Sequence, residues 1–215
     1  MSKVLFIESR KKFPTIDFSV LDNLPGKIIS IAATVQYLSF IPQIKKYLES
    51  MKKKVVIKKG SAYPAHVLGC QSAAFDSNAE TLLLIADGKF HALNNAVQLN
   101  REVYIFDIRK IEKVSRSEID KIKSKIKGKL NLFFSSEKIG LLVSTKYGQH
   151  YRKIGLLKER IQKKGKEVYI FKSDTINLSE LENFPEIRLW INTACSGIGL
   201  EQNKILNVQD ILPHI

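Results

Sequence analysis

The sequence predicts an α/β protein made of two tandem, repeated modules, each with a parallel sheet. Short apolar runs of strand length alternate with helical segments, and such alternation implies right-handed crossovers between parallel strands. Residues 26–57 resemble residues 137–170, with Thr34 and Thr145 at equivalent positions. Residues 79–88 likewise resemble residues 186–195. The sequence therefore indicates one α/β module that has been duplicated.

The first module is predicted to hold four strands. A helix should connect the first two strands, because Ile41, Ile44, Leu48 and Met51 lie on one helical face at spacings of three and four. The strands are predicted at 28–33, 55–57, 81–86 and 103–106, with a short segment at 92–99 before the last. Ahead of the module come a strand-like run at 4–7 and a polar connector at 11–25.

A lysine-rich helix over 115–132 is predicted to bridge the modules, and Ser115 with Glu118 has the pattern of a capping box. The second module should contain a strand at 139–143, a helix at 151–163, a strand at 168–171, a short helix at 178–184 and a closing strand at 189–193. The expected domains are residues 1–25 (N-terminal strand and connector), 26–112 (first module), 113–136 (bridging helix) and 137–215 (second module).

Composition places the chain among globular proteins. Its 215 residues are 44% hydrophobic, enough for one good core or two small ones. No apolar run approaches the roughly 18 residues of a membrane helix, and Glu8 comes too early for a secretory signal. We therefore expect a cytoplasmic protein without a membrane partner.

The chain is basic, with 35 Lys and Arg against 21 Asp and Glu and a formal net charge of +14. Such a charge can reflect a polyanionic partner, an anionic ligand or a solvated lysine surface. The basic residues are spread over the predicted helices, without clustered arginines or interleaved aromatic residues. This distribution favours a solvated surface and does not favour nucleic acid as a specific ligand.

Two cysteines, Cys70 and Cys195, are the most informative residues. Cys195 ends the apolar run 188–195 and is followed by Ser196-Gly197-Ile198-Gly199, so a strand would deliver its thiol to the ligand-binding edge of a sheet. Neither cysteine belongs to a C-x-x-C pair, and two cysteines in a reducing compartment do not form a disulfide framework. Both are therefore either inert buried thiols or members of an incomplete ligand set.

Two further turns carry polar side chains after predicted strands. Thr34-Val35-Gln36 and the segment 144–149, which includes Thr145 and Gln149, could hold an anionic ligand through backbone N–H groups and side chains. Alternatively, the threonines only cap helices. His91 follows a strand end and could equally be an ordinary loop histidine. The chain lacks a phosphate loop, a dinucleotide fingerprint and an H-E-x-x-H motif, which argues against the standard nucleotide and zinc-protease classes.

Five short motifs occur in the order and approximate spacing of the diphthamide synthesis protein family, the 2-(3-amino-3-carboxypropyl)histidine synthases. The chain resembles the archaeal homodimeric members most, from about residue 4 to residue 212. The motifs are Thr34-Val35-Gln36, Val67-Leu68-Gly69-Cys70, Asp87-Gly88-Lys89-Phe90-His91, Ser144-Thr145-Lys146-Tyr147-Gly148-Gln149 and Thr193-Ala194-Cys195.

The resemblance implies a family architecture of three modules, each giving one cysteine to a shared 4Fe-4S cluster. This chain resembles the second and third modules, so Cys70 and Cys195 correspond to two ligands and residues 1–25 to the tail of the missing first module. The third cysteine would come from a separate N-terminal polypeptide. The chain would then be the C-terminal part of a split enzyme, acting as a homo- or hetero-oligomer.

The resemblance also implies a transferase activity. The 3-amino-3-carboxypropyl group of S-adenosylmethionine is added by radical chemistry to a histidine of translation elongation factor 2, with an electron donor, as the first step of diphthamide biosynthesis. By resemblance, the side chains that line the S-adenosylmethionine pocket are Gln149, Thr145, Thr34, Gln36 and His91. No catalytic residue is assigned.

Two departures from the family pattern bear on these roles. Glu201 stands roughly where the family commonly has an aspartate. The family commonly continues Ala-Cys-Pro-Arg, whereas this chain has Ala194-Cys195-Ser196-Gly197 and so lacks a rigid turn and a cation. Two alternatives follow. The chain could be a noncatalytic subunit or a basic binding module that engages elongation factor 2 or RNA, or it could be an unrelated two-domain nucleotide-binding protein.

Overall fold

The computed structural model describes residue 5, residues 7–12 and residues 15–215. The chain divides into two compact units, the first ending at Lys121 and the second beginning at Ile122. This division falls inside the segment predicted as a bridging helix. The strand predicted at 4–7 includes positions outside the described residues.

The first unit contains a mixed sheet with the strand order β2-β1-β3-β4-β5, in which the first four strands are parallel and β5 runs antiparallel to β4. The strands are β1 (Ile28–Ala33), β2 (Lys54–Val56), β3 (Thr81–Ile85), β4 (Val103–Phe106) and β5 (Ile111–Val114). The helices are α1 (Ile41–Ser50) and α2 (Phe90–Leu99), with 3₁₀ turns at Ser19–Leu21 and Val35–Phe40.

Strand β3 lies at the centre of this sheet and is buried along its whole length. Leu83 and Ile85 contribute to the apolar cluster that includes α1, whereas Leu82 and Leu84 contribute to the cluster that includes α2. A parallel strand covered on both faces needs a continuous apolar run, which Thr81-Leu82-Leu83-Leu84-Ile85 supplies. The central strand is thus packed on both faces of the sheet.

Helix α3 (Arg116–Ser135) follows the first sheet and begins with the predicted capping box. The Ser115 N–H donates to Glu118 Oε2 at 2.9 Å, and the Glu118 N–H donates to Ser115 Oγ at 3.3 Å. These reciprocal bonds satisfy backbone donors that the first turn of a helix leaves unpaired. The start of α3 is therefore confirmed.

The second unit contains a fully parallel sheet with the order β7-β6-β8-β9. The strands are β6 (Lys138–Ser144), β7 (Glu167–Ser173), β8 (Leu189–Asn192) and β9 (Ile205–Asn207). The helices are α4 (Ile154–Gln162), α5 (Gly197–Glu201) and α6 (Val208–Ile211), with 3₁₀ turns at Leu178–Asn183 and Leu212–His214. Among the described residues, none of the helices is long and apolar enough to cross a membrane.

The order β2-β1-β3-β4 corresponds strand for strand to β7-β6-β8-β9, which confirms the α/β class and the duplicated module. Two strands were not predicted. Strand β5 is an antiparallel edge strand that crosses the predicted module boundary after residue 112. Strand β9 lies next to β8, so the strand predicted as closing is followed by one more. The predicted helix at 151–163 begins only at Ile154, and the one at 178–184 is a 3₁₀ turn.

Candidate functional site

The predicted turn after β1 lies at the carboxyl edge of the first sheet. Thr34 is 6% exposed, and its N–H donates to the carbonyl oxygen of Ile85 in β3 at 3.1 Å. A 3₁₀ turn starts at the next residue, but the Thr34 side chain makes no capping hydrogen bond to it. Gln36 follows in the same turn and is partly exposed. The capping explanation therefore does not account for the Thr34 hydroxyl.

The segment that carries Cys70 is tied to the end of β1. The Ala33 N–H donates to the Ala65 carbonyl, and the Val67 N–H donates to the Ala33 carbonyl, both at 2.9 Å. Gln71 N–H then donates to the carbonyl of Leu68 at 3.2 Å, which closes a tight turn around Cys70. The thiol of Cys70 is free and exposed. It is thus held near Thr34, at the same edge of the sheet.

Helix α2 packs against the Cys70 turn and holds it through a side chain. The amide of Asn95 is fully buried and donates to the carbonyl of Leu68 at 3.3 Å and to that of His91 at 2.7 Å. Asn95 Oδ1 is the one buried side-chain polar atom without a partner among the described residues. A Cβ on Gly69 would lie 2.8 Å from the Phe90 ring and 3.6 Å from His91 Cδ2, so the turn lies directly against the start of α2.

His91 therefore lies beside the Cys70 turn. Its ring is partly exposed and meets the ring of Phe90 edge-on, with centroids 5.1 Å apart. Burial lowers the pKa of His91, because the charged imidazolium loses hydration. A neutral imidazole at physiological pH can donate from one ring nitrogen and accept at the other.

A charged cleft at the same edge of the first sheet was not predicted from the sequence. Lys11 Nζ donates to Tyr37 Oη at 2.9 Å and also binds the carboxylate of Asp87, to which the Tyr37 hydroxyl donates as well. Burial opposes ionisation of Asp87, but the hydrogen bonds from Lys11 and Tyr37 lower its pKa overall. The cleft has a volume of about 410 Å³ and also contacts Asp107 and Arg109. The signal in the sequence that could have indicated this cleft is the position of Asp87 just after strand β3.

In the second unit, two buried asparagines build the turn that carries Cys195. Asn192 Nδ2 donates to the Cys195 carbonyl and to Asn207 Oδ1, both at 2.8 Å, while Asn192 Oδ1 accepts from the Ala194 N–H at 3.0 Å. Asn207 Nδ2 donates to the carbonyl of Ser196 at 2.9 Å. The thiol of Cys195 remains free and exposed. The turn is therefore fixed by side chains from the ends of β8 and β9.

The predicted residues Thr145 and Gln149 lie after β6, at the carboxyl edge of the same sheet as Cys195. Both side chains are exposed. The Thr145 N–H donates to the Ser173 carbonyl at 3.0 Å, and the Gln149 N–H donates to the Lys146 carbonyl at 3.1 Å. Because α4 begins only at Ile154, Thr145 does not cap it. The structure thus groups these two residues with Cys195, and groups Thr34, Gln36 and His91 with Cys70.

The donor set can be tested against an iron–sulfur cluster. Exposed, free thiols on fixed turns are suitable soft ligands, and their exposure contradicts the expectation that both thiols are buried. Each unit would supply one thiolate, whereas a cluster usually needs three or four. Across the described part of the chain, no group of three or more His, Cys, Asp or Glu side chains could hold a metal ion. The residues fit a cluster as part of a larger ligand set.

A family profile described as "Putative diphthamide synthesis protein" matches residues 1–205 of the chain. The chain belongs to the diphthamide synthesis protein family. This membership excludes the unrelated nucleotide-binding protein considered above.

Curated relatives of this family are 24–29% identical to the chain over the residues that align. The 2-(3-amino-3-carboxypropyl)histidine synthase of Pyrococcus horikoshii is 26% identical over 180 residues, which cover 82% of this chain and 52% of that protein. The Methanocaldococcus jannaschii synthase is 29% identical over 133 residues, which cover 60% of this chain and 33% of that protein. Human synthase subunit 1 is 24% identical over 191 residues, which cover 85% of this chain and 43% of that protein. The chain spans about half the length of the curated relatives it matches.

Two solved structures share the fold of this diphthamide synthesis family member. Dph2 from Pyrococcus horikoshii superposes with a TM-score of 0.79 at 24% identity, covering 93% of this chain and 62% of that chain. Dph2 from the same organism with a 4Fe-4S cluster superposes with a TM-score of 0.76 at 24% identity, covering 86% and 56%. At this identity, the likeness establishes the fold alone.

Proposed function

We propose that the chain is the part of a 2-(3-amino-3-carboxypropyl)histidine synthase that supplies two thiolate ligands, Cys70 and Cys195, to a 4Fe-4S cluster. The third thiolate comes from a cysteine-bearing module outside these 215 residues, on a separate polypeptide. The assembled enzyme transfers the 3-amino-3-carboxypropyl group of S-adenosylmethionine to a histidine of elongation factor 2.

One observation carries this proposal. Each unit presents a single free, exposed thiol on a turn that its own side chains hold in place. A structural cysteine is ordinarily buried, whereas a metal ligand must reach the metal. In a family that includes synthases and a Dph2 structure with a 4Fe-4S cluster, this arrangement supports a ligand role for both residues.

The polar side chains of both sheet edges would bind S-adenosylmethionine. A cluster with one iron free of protein ligands supplies, when bound, the electron that cleaves the sulfur–γ-carbon bond of that molecule. Gln149 and Thr145 offer exposed amide and hydroxyl groups beyond β6, and Thr34, Gln36 and His91 offer theirs beside Cys70. The neutral imidazole of His91 can accept a hydrogen bond from the ammonium group of the amino acid end.

Anaerobic reconstitution with iron and sulfide tests the ligand assignment. We expect a stable cluster when the chain is mixed with a polypeptide that carries the missing module, and loss of that cluster in Cys70→Ser and Cys195→Ser. Ser124→Ala, an exposed change on α3, serves as the control and should keep full iron content. A stoichiometric cluster on the chain alone would contradict the split enzyme.

The pocket assignment has its own test. In the reconstituted assembly, Gln149→Ala should weaken binding of S-adenosylmethionine by about tenfold or more, because a hydrogen bond to a charged group contributes about 1.5–3 kcal/mol. Gln209→Ala removes an equally exposed amide from α6 in the same unit and should leave the dissociation constant unchanged. Equal affinity of both variants for S-adenosylmethionine would contradict the assignment of Gln149 to the pocket.

A second function is favoured by the lysines of α3. Residues 121–135 contain five lysines, of which all but the buried Lys129 reach solvent, and no acidic residue. This suits a noncatalytic subunit that engages elongation factor 2 or RNA. The Ser196-Gly197 pair after Cys195 also favours this alternative. The double variant Cys70→Ser/Cys195→Ser separates the two functions: unchanged diphthamide formation in cells supports the noncatalytic one, and its loss supports the synthase.

A further inference from the structure

Lys129 is a buried cation in the second unit. Its side chain on α3 is 5% exposed, and Nζ donates to the backbone carbonyl of Gly199. Burial lowers the pKa of Lys129, and the carboxylate of Asp210 offsets part of that effect. Lysine is among the residues least often fully buried, because desolvating an ammonium group costs free energy that only close polar partners recover. The position of this group therefore needs an explanation.

The carbonyl of Gly199, which accepts the hydrogen bond from Lys129, belongs to the segment that follows Cys195. The Gly199 N–H donates to the Ser196 carbonyl at 3.2 Å, and the Ile198 N–H donates to the Cys195 carbonyl at 3.1 Å. A Cβ on Gly199 would lie 2.3 Å from Asn207 Oδ1, so the backbone of Gly199 is pressed against the same asparagine that binds Ser196. Lys129 thus holds one end of this segment, and Asn192 holds the other.

The sequence of the turn shows why a second anchor is needed. Ser196-Gly197 contains no proline, and glycine has more backbone freedom than any other residue. Helix α5 covers only Gly197–Glu201, too short to be stable on its own. A charge-assisted bond to its third residue supplies rigidity that this local sequence lacks.

We propose that Lys129 is a positioning residue for Cys195: its bond to Gly199 fixes α5 and so orients the thiol for iron binding. The inference rests on the proposed function, because it concerns the same ligand. Lys129 contacts the backbone of Gly199 and acts on Cys195 only through it.

Hydrogen exchange in the full chain without iron tests the anchor. In Lys129→Met, which keeps the length and apolar stem of the side chain, the amides of Ile198 and Gly199 should exchange at least tenfold faster. In Lys129→Arg, which keeps the charge and donors, they should remain within about threefold of the unchanged chain. The Thr193 amide, bonded to Leu142 at 3.0 Å, is the internal reference. Unchanged exchange in Lys129→Met, equal acceleration in both variants, or equal acceleration at Thr193 would each overturn the proposal.

Alkylation by iodoacetamide tests the consequence for the ligand. In the reconstituted assembly, Lys129→Met should raise the rate at Cys195 at least fivefold and leave the rate at Cys70 unchanged, and Lys129→Arg should restore protection. Equal rates at Cys195 in all three proteins would overturn the positioning role. If iron protects neither cysteine in the unchanged assembly, the proposed function fails instead, while the exchange result still decides whether Lys129 anchors the turn.

Discussion

The side-chain amide of Asn192 donates a 2.8 Å hydrogen bond to the backbone carbonyl of Cys195. Asn192 is 1% exposed, and the same amide also donates to Asn207 Oδ1. A buried side chain at the end of β8 therefore sets the backbone of a residue whose own side chain is exposed. The position of the thiol is built into the core of the second unit.

Asn192→Ala should destabilise the chain by about 1–3 kcal/mol, because it leaves the buried oxygen of Asn207 without this donor. Urea denaturation monitored by circular dichroism measures the free energy of unfolding. Asn203→Ala, at an exposed position in the same unit, should change it by less than about 0.5 kcal/mol. Equal stability of the two variants would show that the asparagine pair is not needed.

Asp210 should make stability depend on pH. Burial raises its pKa from 3.8 to about 6, against the opposing effect of Lys129. Because the folded state favours the uncharged carboxyl group, its contribution is fully present below pH 3.8 and is lost as the pH rises through about 6. The loss is at most about 3 kcal/mol, since one pKa unit equals about 1.4 kcal/mol and the group is partly exposed.

The matched variant is Asp210→Asn, which cannot ionise. The difference in unfolding free energy between the unchanged chain and this variant should fall between pH 4 and pH 7. Taking the difference removes the contributions of other titrating groups, including His66 and His91, whose pKa values are lowered by burial. Parallel pH profiles would rule out the effect of Asp210.

His91 should titrate below its ordinary pKa of 6.5, because burial disfavours the imidazolium. NMR titration of the ring protons measures the midpoint directly. Phe90→Ala removes the ring that contacts His91 edge-on and should raise the midpoint toward 6.5. Phe134→Ala removes an exposed ring in the other unit and should leave the midpoint unchanged. If the titration midpoint of His91 is the same in Phe90→Ala as in the unchanged chain, the Phe90 ring does not cause the lowered pKa.

Gly140 in β6 has no room for a side chain. A Cβ there would lie 2.2 Å from Trp190 Cε3, and Trp190 is only 2% exposed. Gly140→Ala should therefore cost at least about 2 kcal/mol, since overpacking a dense core forces side chains off their preferred rotamers. Gly155→Ala adds a Cβ to α4 with nothing within 4 Å and should be neutral or stabilising. Thermal unfolding of both variants gives the comparison.

Strands with strong apolar patterns could be predicted from the sequence. Residues 28–33 form β1 as expected, and the pairing of Ser115 with Glu118 placed the start of α3 correctly. Strand β5 reads Ile111-Glu112-Lys113-Val114, and its charged centre gives no apolar run because the strand lies at an edge of its sheet. Strand β9 has only three residues, and its burial depends on contact with β8.

The two cysteines could be found from the sequence, but not what holds them. Asn192 and Asn207 are fifteen residues apart, and their contact exists only once β8 and β9 are paired. Lys129 is one of five lysines in a single stretch of α3, and nothing in their spacing marks it as the buried one. Burial is decided by which face of α3 packs against the second sheet, which is a tertiary property.

The exposure of both thiols has a consequence for handling the protein. A thiolate that reaches solvent is open to oxidation to sulfenic acid, which condenses with another thiol or goes on to sulfinic acid. Because the turns are held by amides and an ammonium group rather than by sulfur, such damage leaves the fold intact. Chain isolated in air should therefore keep the circular dichroism spectrum of the folded protein while it loses the proposed capacity to supply thiolate ligands to a cluster.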